Sequence, residues 1–181
     1  MTDPVYPRWA NAVLYQGVWF VGVLGGVPWT PLAFAFVAAH LALVRWRASA
    51  SFGRELLTVL LASAIGTATD TALTLGGVFV FTPEPTPLPI PIWLVAIWLG
   101  FATTFRHAIA FIMARPPLAI VAGAVGGPLS YLGAARLGAV TLPNGALATG
   151  LGLSLVWALL MAAFVALVRC TGVSRAVNAS G

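Results

Sequence analysis

The sequence has no lysine, a single cysteine and only four acidic residues: Asp3, Glu55, Asp70 and Glu84. Charged residues make up 7% of its 181 positions, against about 25% in ordinary soluble domains. So few charges cannot clothe a globule of this size in a solvated surface, which excludes a soluble fold. A hydrophobic content of 60% excludes disorder. Cys170 alone excludes a disulfide scaffold. The chain also lacks a phosphate loop, a dinucleotide fingerprint, an HExxH helix and a GxSxG elbow. The net charge of +5 comes from arginines spread along the chain beside apolar runs, with no basic face. No nucleic-acid partner is therefore expected.

What is present is a series of apolar runs, each near the roughly 17–25 residues that cross a bilayer as helix. They cover 11–26, 28–44, 56–81, 90–113, 118–140 and 146–168, followed by a frayed polar tail over 170–181. A barrel would show shorter runs of alternating polarity; these are continuous and rich in Ala and Leu. The expected fold is all-α, a polytopic transmembrane bundle of six helices forming a single domain, and no internal repeat stands out. Six spans put both termini on one side. With the N-terminus inside, Arg8, Arg45, Arg47, Arg54, Arg115, Arg169 and Arg175 are cytoplasmic, and Glu84 and Arg136 are outside. The positive-inside rule favours that orientation, with both termini cytoplasmic. Trp9 and Trp46 on the inside, and Trp29 and Trp93 on the outside, fit interface belts.

Small residues four apart let helices approach closely in lipid. Gly22 with Gly26, Gly123 with Gly127, Ala134 with Gly138, and the Gly66–Asp70–Gly77 face read as packing seams. Alternatively, Gly126-Gly127-Pro128 breaks the fifth helix, as at transporter substrate sites.

Four ionisable residues fall at membrane depth, where they are costly and turn inward. Asp70 lies within ~3 Å of its span's midplane, and His40, Arg106 and His107 lie ~6–8 Å to the cytoplasmic side. An Asp70–Arg106 ion pair is within reach. Asp70 and His107 are the catalytic candidates, although no catalytic dyad is evident. Gln16, His40, Arg106, Ser130, Tyr131 and Arg136 are the candidate substrate-binding residues. His40 and His107 on facing spans have the donors for a haem, or with Asp70 for a metal. Lone membrane histidines more often serve packing, so no cofactor and no metal is expected.

The run Ala102-Thr103-Thr104-Phe105-Arg106-His107 and the run Gly126-Gly127-Pro128-Leu129-Ser130-Tyr131 leading to Ala134-Ala135-Arg136 carry a resemblance. So do Asn11, Gln16, Trp19, Asp70 and Phe79. Over roughly 11–168 the chain resembles a bacterial inner-membrane family defined as a domain of unknown function, number two-eight-seven-eight. The resemblance implies a small polytopic protein set among membrane-lipid modification, with no assigned chemistry. Family members carry Asn where this chain has Arg106, which favours Asp70 and His107 over Arg106 as shared site residues.

Three functions compete. An accessory or scaffold subunit needs the polar residues only as interhelical glue and would associate with other membrane proteins or with itself. A module supporting membrane-lipid chemistry predicts Asp70, His107 and Arg136 around a laterally open cavity, with membrane lipids as partners. A small transporter or channel predicts an axial path through Asp70.

Overall fold

The computed structural model describes residues 7–82 and 88–173. Asp3, Glu84 and Arg175 lie outside the described residues, as do most of the proline-rich stretch and the tail from 174 onward. Six helices and two short strands follow one another: α1 (Arg8–Arg47), α2 (Ser49–Leu75), β1 (Val80–Phe81), α3 (Ile92–Thr103), α4 (Ala110–Met113), α5 (Pro116–Arg136), β2 (Val140–Thr141) and α6 (Gly145–Val173).

The 40-residue α1 is two helices. Gly26 adopts φ 58° and ψ −146°, a conformation that needs the absence of a Cβ. Pro28 follows in the first turn of the second arm, where a missing amide costs nothing, and Pro31 comes just past it. A straight helix would put Asn11 and His40 about 43 Å apart. Instead their side chains meet at 3.5 Å, and a Cβ on Gly17 would lie 3.2 Å from Phe36. The two arms, residues 8–25 and 27–47, are thus an antiparallel hairpin at the turn the prolines announce. α2, α5 and α6 are each long and apolar enough to cross a membrane.

Two more hairpins, α2–α3 and α5–α6, repeat the plan of the first. In each, a glycine on the first helix faces an aromatic ring on the second: Gly17 with Phe36, Gly66 with Trp98, Gly127 with Trp157. The first helix of each then ends on a glycine of positive φ: Gly26, Gly77 and Gly138. After α2 and α5 that glycine closes the same cap, with Val78 N–H bonded to Leu73 O and Ala139 N–H to Ala134 O, both at 3.0 Å. The chain is thus laid out as three helical hairpins in succession.

These caps shorten two expected spans. The helices of the runs 56–81 and 118–140 stop at Leu75 and Arg136, and the remainders pair as antiparallel β1 and β2, Val80 opposite Thr141 and Phe81 opposite Val140. Gly77 and Gly138 therefore serve as caps rather than seams. The run 90–113 is not one helix. It breaks over residues 104–109, where the Thr103 and Thr104 hydroxyls bond back to Gly100 O and Phe101 O at 2.6 Å. The fifth helix, expected as a possible break, instead runs unbroken through Gly126-Gly127-Pro128. α6 continues to Val173, so positions 170–173 of the expected frayed tail are helical. Trp93 is buried against Phe81 rather than lying in an interface belt.

Candidate functional site

The hairpins place two polar clusters at opposite ends of the bundle. The first lies at the end that carries Arg8, Arg45, Arg47, Arg54, Arg115 and Arg169. There Glu55, near the start of α2, is 3% exposed. Its Oε1 lies 3.2 Å from His40 Nε2 and 3.4 Å from His107 Nε2. The two imidazole rings meet edge to face at 4.9 Å. The break after α3 brings His107 here. Asn11 accepts the Ala108 amide proton at 3.1 Å, satisfying a donor that a helix would have used internally.

Arg106 covers the other side of the carboxylate. Its Nε is 3.9 Å from Glu55 Oε2, and its guanidinium donates to Thr58 Oγ1, to Thr171 Oγ1 at 2.5 Å and to the Val168 carbonyl. The guanidinium thus fastens α6 to α2 while balancing a buried negative charge. A buried carboxylate lacking such partners would be strongly disfavoured.

The second cluster is Asp70, 1% exposed, near the far end of α2. Its two oxygens accept from Trp98 Nε1 at 2.7 Å and from the Tyr131 hydroxyl at 2.5 Å. Phe79, next to β1, stacks on Tyr131 at 5.0 Å.

The expected Asp70–Arg106 pair is therefore absent, and Arg106 pairs with Glu55. Fifteen residues of α2 separate Glu55 from Asp70, about 22 Å of rise. The sequence reading centred the third span too far along the chain, which moved Asp70 to mid-depth. His40 and His107 come together with Glu55 and not with Asp70. Glu55 is not among the sequence candidates, because it stands beside Arg54 at the edge of an apolar run. A signal existed: Glu55, Thr58, Ala62, Ser63, Gly66 and Asp70 form one buried face of α2 at helical spacing.

Of the remaining candidates, Gln16, Ser130 and Tyr131 line open space. A cavity of about 540 Å³ separates the first arm of α1 from α5. Gln16, Trp19 and Phe20 form one wall, Gly126, Leu129 and Ser130 the other, with Trp157 and Met161 of α6 behind. Trp19 Nε1 donates to Ser130 Oγ at 2.8 Å across the gap. A tighter space beside it, of about 40 Å³, is lined by Tyr131, Trp98 and Trp93 among other aromatic groups. Asp70, His107 and Arg136 line neither space, contrary to the expectation for a lipid module. Arg136 is exposed at the end of α5.

The family described as "Protein of unknown function (DUF2878)" matches residues 8–163. The chain belongs to that family. No curated protein and no solved structure matches it.

Proposed function

We propose that the protein is an integral cytoplasmic-membrane protein, with both termini on the cytoplasmic side, that holds a lipid chain in the cleft between the first arm of α1 and α5. The cleft carries this reading. It lies midway along both helices, its volume is in the range of small-molecule sites, and its lining is mostly apolar. Gln16, Phe20, Gly126 and Leu129 are exposed along its mouth, so it opens sideways, toward the hydrocarbon that would surround a spanning helix. The occupant that medium supplies is an acyl or isoprenoid chain. Orientation follows from six arginines at one end of the described helices against Arg136 at the other. The transport reading needs an open path at Asp70 and a broken α5; Asp70 is enclosed and α5 is continuous, so neither feature supports it.

The test uses a lipid bearing a photoreactive acyl chain, incorporated with the full protein into bilayers. Crosslinks should concentrate on α1 and α5 residues of the cleft. A Cβ on Gly126 meets nothing within 4 Å, so Gly126→Phe should fill the cleft without disturbing the core and remove those crosslinks. Labelling spread evenly around the bundle, or unchanged in Gly126→Phe, would overturn the reading.

A further inference from the structure

We propose that His40, Glu55 and His107 form a binding site for a divalent transition-metal ion, with zinc(II) the best match. Two imidazoles and one carboxylate are a donor set that zinc accepts in open, water-bearing sites. The spacing fits as well. A tetrahedral ion with bonds of about 2.0–2.1 Å holds its ligand atoms about 3.3–3.4 Å apart. The two histidine Nε2 atoms lie 3.2 and 3.4 Å from Glu55 Oε1, and all three ligand atoms fall within 4.8 Å of one another. Small side-chain rotations would seat an ion among them, leaving one position for water or a ligand.

Three further observations favour a site over simple interhelical glue. The donors come from three separate elements, the second arm of α1, the start of α2 and the turn after α3, and all are at least nine-tenths buried. His107 reaches the cluster through a helix break over residues 104–109, which carries a local backbone cost. These are also the only two histidines in the chain. An outer partner for the carboxylate is in place too. Arg106 faces Glu55 Oε2, the oxygen left over when Oε1 binds. Asn11 Nδ2 lies 3.5 Å from His40 Nδ1, while Asn11 Oδ1 holds the Ala108 amide. An ion on Nε2 leaves the proton on Nδ1, so a residue with a second acceptor oxygen at position 11 would serve as the outer partner of a ligating His40 better than the asparagine does.

The experiment measures zinc and cobalt uptake by the purified full-length protein after chelation and removal of excess ion. About one equivalent of zinc per chain is expected, along with a higher unfolding temperature. The cobalt form should show the intense visible absorption of a tetrahedral site. Glu55→Gln and His107→Ala should lower occupancy at least 10-fold, whereas Asp70→Asn and Cys170→Ser should keep it. Asn11→Asp offers one oxygen to Ala108 N–H and one to His40 Nδ1–H, and should tighten binding roughly 10-fold, a gain that misfolding cannot mimic. Wild-type protein that takes up well under one equivalent would overturn the proposal without recourse to any variant. So would uptake unchanged in both Glu55→Gln and His107→Ala.

Discussion

Trp98 and Trp157 stack with ring centroids 5.2 Å apart and planes 16° from parallel, joining α3 to α6 at the centre of the bundle. Each indole has a glycine at its back, Gly66 of α2 behind Trp98 and Gly127 of α5 behind Trp157. Four helices thus meet in a glycine–indole–indole–glycine stack. In lipid, where helix association depends on close packing, such contacts replace the hydrophobic drive available in water.

The stack predicts a sharp contrast between neighbouring positions. Gly127→Leu drives a side chain into Trp157 and should cost about 1–3 kcal/mol or abolish accumulation. Gly126→Leu, one residue away, meets open space and should leave stability near wild type. Thermal unfolding in detergent, followed by size-exclusion chromatography, measures both. Equal effects at the two positions would contradict the packing described.

A second expectation concerns Asp70. Its carboxylate takes one proton donor on each oxygen. Tyr131→Phe removes one donor and should cost about 1–3 kcal/mol, the range for a lost hydrogen bond to a charged or buried partner. Asp70→Asn should do comparable harm, because one face of the amide then turns N–H toward a donor. Combining the two should cost less than the sum, since both break the same bond. Strict additivity in the unfolding temperatures would mean that the groups do not interact.

The sequence made the class of this protein legible because apolar runs, turn prolines and flanking arginines act locally. The Gly26–Pro28–Pro31 hairpin shows this well: the residues that make the turn also announce it. The polar core was less legible because partners separate in sequence are chosen by helix register. Shifting the third span by some seven residues was enough to lift Asp70 from the ribbon end to mid-depth and to pair it with the wrong cation. The break after α3 has no proline or glycine to mark it. It depends on Asn11, 97 positions away from Ala108, which captures the freed amide. The β1–β2 ribbon was hidden for a similar reason: two residues of strand at the end of an apolar run look like helix.

Arg106 should prove more important for holding α6 than its modest burial suggests. The guanidinium reaches Thr58, Thr171 and the Val168 carbonyl at once, a fan of donors that an ammonium cannot reproduce. Arg106→Lys keeps the charge beside Glu55 but loses the spread. Arg106→Met loses both and leaves a buried carboxylate with less compensation. Stability should fall in the order wild type, Lys, Met. Limited proteolysis should report loosening at the end of α6 in the Lys variant before the whole bundle opens. A Lys variant indistinguishable from wild type would assign Arg106 to charge balance alone.

The proposed orientation can be decided with the one native cysteine. Cys170 is exposed near the end of α6, the same end as Arg8, Arg47, Arg54 and Arg115. Leu88, half exposed at the opposite end just before α3, supplies the counterpart in a Leu88→Cys variant on a Cys170→Ser background. A membrane-impermeant maleimide applied to intact cells should label the cysteine at 88 and spare Cys170. In inverted membrane vesicles the pattern should reverse. The arginine bias acts during insertion, through the cost of moving guanidinium groups across the membrane. Replacing Arg45, Arg47 and Arg54 with Gln while adding arginines beside Leu88 should therefore produce a mixed labelling pattern. Labelling of Cys170 from outside in the wild-type chain would reverse the topology and place the His40–Glu55–His107 cluster at the outer face.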